Sequence, residues 1–251
     1  YFVDSEYIVN SLKKGLPHDL PFEKVEEVNY YGAGVHNAEK AKIVELAMQK
    51  VFPNAKVEVG HDLLAAARAL LADQAGFAAI LGTGTNSCIY DGQEITYNID
   101  SAAYILGDEG SGSYIGKKLL TDFIRGLMPE DVAKAFFETY KLTPDEIMDS
   151  VYTKPLANRF CASFSKFVYD NNVNINYTRS IVDNAFEAFF TNLVSKYPNY
   201  QNYTFNCIGS VGYNFRNVLE DKATQYGMKV GKILRSPIDD LVQFHIKRAK
   251  K

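Results

Sequence analysis

Two spacings of apolar residues alternate along this chain. Residues 25–31 form a short apolar run ending in Gly32-Ala33-Gly34, which predicts a strand. A helical pattern follows over about 38–51, then a second strand-like run at 56–59 and an Ala- and Leu-rich helix at 63–71. Residues 77–81 are continuously apolar and run into Gly82-Thr83-Gly84-Thr85-Asn86; the strand pattern resumes at 87–90 before Asp91-Gly92, which predicts a hairpin. Residues 110–126 are helical by the same reading, and 130–197 almost wholly so. Within that stretch Ile181, Ala185, Phe189, Leu193 and Tyr197 recur on one face and are predicted core. A strand at 203–208, a glycine turn, a helix, a strand near 228–233 and a closing helix after Pro237 complete the pattern. Short strands alternating with helices predict an α/β fold. No repeat or low-complexity linker interrupts it.

Composition narrows the class. The chain has 251 residues, 47% hydrophobic and 23% charged, enough to bury a full core. A net charge of -3, with both signs interspersed, provides no basic stripe for nucleic acid, and no apolar run is long enough to span a bilayer. Neither nucleic acid nor membrane is the expected partner. Cys88, Cys161 and Cys207 are widely spaced and lack a metal-binding pattern, which points to a reduced, cytoplasmic protein. The opening Tyr1-Phe2-Val3-Asp4 has neither the basic nor the apolar region of a signal peptide and is read as a truncated start.

Three glycine turns and one carboxylate carry the candidate chemistry. In Gly82-Thr83-Gly84-Thr85, backbone N–H groups and Thr hydroxyls suit phosphate oxygens, although a plain hairpin turn would look the same. Gly107-Asp108-Glu109-Gly110-Ser111-Gly112 leads into a helix, where it could admit an anion or sugar hydroxyls; Asp108 or Ser111 could equally cap that helix. Gly209-Ser210-Val211-Gly212 breaks a strand before a helix, leaving backbone on which adenosine could lie, or else making an ordinary connection. Neither a Walker A lysine nor full G-x-G-x-x-G spacing is present. Asp62 falls between a strand and a helix, at the carboxyl edge where α/β sheets bind ligands. It could accept a hydroxyl proton during phosphoryl transfer or serve as an N-cap.

The order of these pieces resembles one family. G-A-G after a strand, then H-D-L-L-A-A-A-R, L-G-T-G-T-N-S, I-L-G-D-E-G-S-G and I-G-S-V-G is similar to the N-acetylglucosamine kinase-like proteins, grouped with the BadF/BadG/BcrA/BcrD ATPases in the actin, hexokinase and Hsp70 superfamily. The resemblance spans essentially the whole chain. It implies a two-lobed, ribonuclease H-like α/β fold: a small lobe of residues 1–72 plus 239–251, lacking its first hairpin, and a large lobe of 73–238. It also implies ATP with Mg²⁺, a small sugar substrate and a possible homodimer. By resemblance Asp62 is the catalytic base; Gly82, Thr83, Gly84, Thr85, Gly209, Ser210 and Gly212 meet the nucleotide; and Asn86, Asp108, Ser111 and Gly112 meet the sugar.

Three features depart from the family pattern. Its first phosphate loop, an Asp followed by Gly, Ser or Thr and Lys, is expected upstream of Tyr1 and would carry the Mg²⁺ ligand. Asp100-Ser101-Ala102-Ala103-Tyr104 replaces a Gly-Gly-Trp-Gly pattern found in some members, and Asp240 stands where relatives often have Gly. Two alternatives stay open at this point: an activator-type ATPase of the same superfamily, and a sugar-sensing protein that has lost turnover.

Overall fold

The computed structural model describes residues 5–17, 19–35, 37–170 and 173–250; Tyr1 to Asp4, His18 and His36 lie outside them. The chain forms two compact units, Tyr1–Ala65 and Ala66–Lys251, with the boundary inside one helix. Among the described residues no helix is long and apolar enough to cross a membrane.

In the first unit, α1 (Ser5–Gly15), β1 (Glu27–Gly32), α2 (Ala38–Val51) and β2 (Lys56–His61) precede the start of α3 (Asp62–Leu71). β1 and β2 pair in parallel, from Glu27 opposite Lys56 to Gly32 opposite His61, so a helical crossover must join them, and α2 is that crossover. The Asn37 side chain accepts a hydrogen bond from Lys40 N (2.9 Å) and fixes where α2 begins. Val44, Met48, Val51 and Phe52 form a small core, covered by Ile8 and Leu12 of α1 and by Val28, Val57 and Val59 of the strands. The pattern-based strand at 25–31 is thus realised two residues later at its start, and α2 falls on the expected residues.

The second unit is built on a mixed five-stranded sheet. β3 (Gly76–Leu81), β4 (Thr85–Tyr90) and β5 (Ile95–Asn98) are antiparallel neighbours; β6 (Thr204–Ile208) and β7 (Lys229–Leu234) join the other side in parallel, giving the order β5-β4-β3-β6-β7. Central strands covered on both faces need apolar side chains throughout, and β3, with five of its six residues buried, reads as an unbroken apolar run for that reason. Between β5 and β6 come α4 (Ala103–Leu106), α5 (Gly112–Ile124), α6 (Glu130–Tyr140), α7 (Pro144–Tyr152), α8 (Ala157–Ser163), α9 (Ser165–Asp170) and α10 (Ile175–Asn192). After β6, α11 (Ser210–Asn214) and α12 (Arg216–Gln225) lead to β7, and α13 (Ile238–Ala249) closes the chain.

The predicted apolar face holds: Ile181, Ala185, Phe189, Leu193 and Tyr197 are all buried. Tyr197 also joins helix layer to sheet. Its ring meets Phe77 edge-on at 5.4 Å, while its hydroxyl donates to Ser87 O (2.7 Å) and accepts from Ile99 N (3.1 Å). β5 and α4 are absent from the pattern-based reading, because their four residues each are too few to establish a period.

Candidate functional site

The hairpin between β3 and β4 closes through three residues, Gly82 to Gly84, with Gly82 N donating to Gly84 O (3.0 Å). This turn is clasped by the start of α5. Gly112 N donates to Gly82 O (2.8 Å) and Ser113 N to Thr83 O (3.1 Å). Thr85 N donates to Asp108 Oδ1 (3.1 Å), and the Thr85 hydroxyl donates to Glu109 O (2.6 Å). Two segments more than twenty residues apart are therefore one hydrogen-bonded unit, in which Thr83 stays exposed. Asn86 uses its side-chain oxygen inside the hairpin, accepting from Ser87 N (2.9 Å) and Asn98 Nδ2 (3.0 Å). Its own Nδ2 takes no partner among the described residues.

The choice of cap within G-D-E-G-S-G is resolved. Ser111 is the N-cap of α5, accepting from Tyr114 N (3.1 Å), and its hydroxyl lies 3.0 Å from that of Ser113. Asp108 does not cap. It sits in the left-handed region (φ 59°), is 7% exposed, and accepts from both Thr85 N and the Ser101 hydroxyl (3.2 Å). Burial raises the pKa of its carboxyl above the ordinary carboxylate value; the Thr85 and Ser101 hydrogen bonds and the Lys117 charge oppose that rise. The sequence reading passed over Ser101, which lies in a stretch noted there for its missing glycines. Ala102 and Ala103 adopt left-handed φ values of 55° and 52°, a conformation glycine takes without cost and alanine does not.

The third turn meets the first. Gly209 has φ 130°, and a Cβ there would stand 2.2 Å from Leu81 O and 3.1 Å from Gly82 N. Only glycine lets the end of β6 approach the end of β3 this closely. Its N–H is spent on Leu234 O (2.9 Å). Ser210 is exposed at the start of α11, and Gly212 is buried within it. Gly84 likewise abuts Asp108, whose Oδ2 would be 2.9 Å from an added Cβ. Gly82 differs from both: a Cβ there would meet nothing within 4 Å, and its φ is not in the left-handed range. Neither neighbours nor conformation demand glycine at that point, so the space beside it is open to a ligand, and the cradle fits the approach of a phosphate group.

Asp62 belongs to the first unit. There the structure corrects the capping alternative: His61 precedes the first helical residue, and its Nδ1 accepts from Leu64 N (3.3 Å), the position an N-cap fills. Asp62 is the first residue of α3 and accepts from Leu63 N (2.9 Å). Among the described residues, no group of three or more His, Cys, Asp or Glu side chains could hold a metal ion.

No family model and no curated protein matches the chain. Among solved structures, a Porphyromonas gingivalis protein provisionally named N-acetylglucosamine kinase is 37% identical with a TM-score of 0.93, over 98% of this chain and 87% of that one. A Chromobacterium violaceum protein of the same provisional name is 15% identical with a TM-score of 0.68, over 95% and 83%. A non-polymerising MamK mutant bound to AMPPNP is 12% identical with a TM-score of 0.52, over 98% and 74%. The last two speak to the fold, an actin-like ATPase fold. At 37% identity across nearly its whole length, the chain belongs to the N-acetylglucosamine kinase-like family of the BadF/BadG/BcrA/BcrD ATPases.

Proposed function

We propose that this chain serves an ATP-dependent sugar kinase acting on the 6-hydroxyl of N-acetylglucosamine or a related amino sugar. The observation that carries the reading is the junction of three turns in the second unit: Gly82–Gly84 bonded to the start of α5, with Gly209 packed against Leu81. ATP, when bound, supplies the γ-phosphoryl group. Of Gly82, Thr83, Gly84 and Thr85, the Thr83 and Gly84 N–H groups and the exposed Thr83 hydroxyl would hold its phosphates, with Gly82 leaving open space beside them and Thr85 fixing the turn through Asp108 and Glu109. Gly209 and the exposed Ser210 would meet adenosine, with Gly212 buried in α11 against Cys207. No described residue is assigned to Mg²⁺.

On the sugar side, Asp108 would accept a substrate hydroxyl while Thr85 and Ser101 hold its carboxylate still. Asn86 would donate its unengaged Nδ2, and Ser111 and Gly112 would line the same wall. Asp62 would take the proton of the attacking hydroxyl as the phosphoryl group transfers. The three cysteines fit this reading better than an iron–sulfur activator. All are buried and free, and burial pushes the Cys88 thiol up to about 12 and raises Cys161 and Cys207 as well, which opposes the thiolate a cluster requires.

The test is ADP release by the complete protein with ATP, Mg²⁺ and a panel of N-acetylglucosamine, glucosamine, N-acetylmannosamine and glucose. The reading predicts sugar-dependent turnover, fastest with an amino sugar. ADP release that no sugar stimulates would contradict it.

A further inference from the structure

A cavity of about 510 Å³ opens in the larger unit between α4, α5 and α7, and its volume is that of an ordinary small-molecule pocket. Leu120, Ile124, Ile147, Met148 and Val151 give it apolar walls. At the rim, Ile105 and Tyr152 are 82% and 77% exposed, an unusual position for large apolar side chains.

One wall is charged. Lys117 lines the cavity half-buried, its ammonium bonded to Tyr104 O and lying 4.9 Å from the Tyr104 ring and 5.8 Å from the Tyr114 ring. No carboxylate among the described residues lies within ion-pair distance of it. A partly desolvated cation facing a cavity without a paired anion is costly, and burial lowers its pKa accordingly. An anion entering the cavity would relieve that cost.

We infer that this cavity binds a small amphipathic monocarboxylate, its head on Lys117 Nζ and its apolar body along Leu120, Ile147, Met148 and Val151. A single charge suits the site better than a phosphate dianion, because Asp108 and Glu109 already act electrostatically on the same ammonium and would repel a second negative charge. An apolar body suits the cavity, because α5 lines it with Leu120 and Ile124 and α7 with Ile147, Met148 and Val151.

Calorimetric titration of the full chain with octanoate and with 1-octanol tests this. Octanoate should bind saturably and about tenfold or more tighter than octanol, the worth of a charge-assisted hydrogen bond. Lys117→Met should bring octanoate down to the octanol level, and Met148→Trp, which fills the cavity from a side chain 45% exposed, should weaken both. The inference is overturned by no saturable binding of octanoate, by equal affinities for the two probes, or by Lys117→Met leaving octanoate binding unchanged. The comparison of probes on the unaltered chain stands even if a variant does not fold.

Discussion

Asp62 and Asp108 are both candidate site carboxylates, yet the two regions hold them differently. Asp108 is buried, in a left-handed conformation, bonded to a hairpin and to a serine seven residues upstream, and its charged form is disfavoured by burial. Asp62 stands half-buried at the first residue of α3 and bonds only its neighbour's N–H among the contacts described, while His61 performs the capping. A group locked by several partners is suited to positioning a substrate. A lightly held carboxylate is free to take a proton. On the proposed reading Asp108 would bind substrate and Asp62 would do the chemistry, and substitutions can separate the two.

The largest effect is expected at Asp62. Replacement by Asn preserves an acceptor for Leu63 N but removes the base, so kcat of the complete protein should fall about 10²- to 10⁴-fold, with little change in Tm. Steady-state kinetics beside a thermal melt checks this; a wild-type kcat would assign Asp62 to structure alone.

Gly209→Ala should act on folding. A positive φ and a Cβ at 2.2 Å from Leu81 O leave alanine no strain-free place, and a loss of more than about 2 kcal/mol is expected from urea unfolding. An unchanged midpoint would mean that β3 and β6 do not approach as described.

Asp108→Asn sharpens the contrast with Asp62. Asn tolerates the left-handed conformation and can still accept from Thr85 N and Ser101, so folding should not suffer, while KM for the sugar should rise about tenfold and kcat change far less. Stability should vary with pH in a set direction. Because burial raises the folded-state pKa of Asp108, its charged form costs stability at neutral pH, and that cost disappears as pH falls through the raised value. Any advantage of Asn in Tm should therefore be greatest near neutrality and shrink in acid. A constant difference across that range would exclude the electrostatic cause.

The smallest effect is expected at Gly82. Ala should leave stability within about 0.5 kcal/mol, since open space surrounds its Cβ, yet weaken nucleotide binding severalfold by narrowing the cradle. Unaltered affinity would place the phosphates elsewhere.

Much of this was legible before any coordinates. α2, α3, β3 and α13 announce themselves by periodicity and by breaker residues at their ends, and the order of the glycine motifs indicated the family. Sequence alone did not reveal how the motifs interlock. The clasp uses backbone atoms of Gly82, Thr83, Gly112 and Ser113, which carry no side-chain signature, and the contact of Gly209 with Leu81 spans well over a hundred residues. Ser101 was missed for a related reason, since the fold and not spacing brings its hydroxyl to Asp108, while His61 is not one of the residue types that signal an N-cap. α1 could have been found, since Ile8, Leu12 and Leu16 recur at intervals of four and pack on the first core.

The central claim is that the turns at Gly82 and Gly209 form one nucleotide site. Titrating the complete, isotope-labelled protein with AMPPNP and following backbone amides by NMR tests it most directly. The amides of Gly82, Gly84, Thr85, Gly209 and Gly212 should shift together with one common Kd, while those of the remote Asp91–Gly92 turn stay in place. Shifts at one turn without the other, or at different nucleotide concentrations, would contradict it.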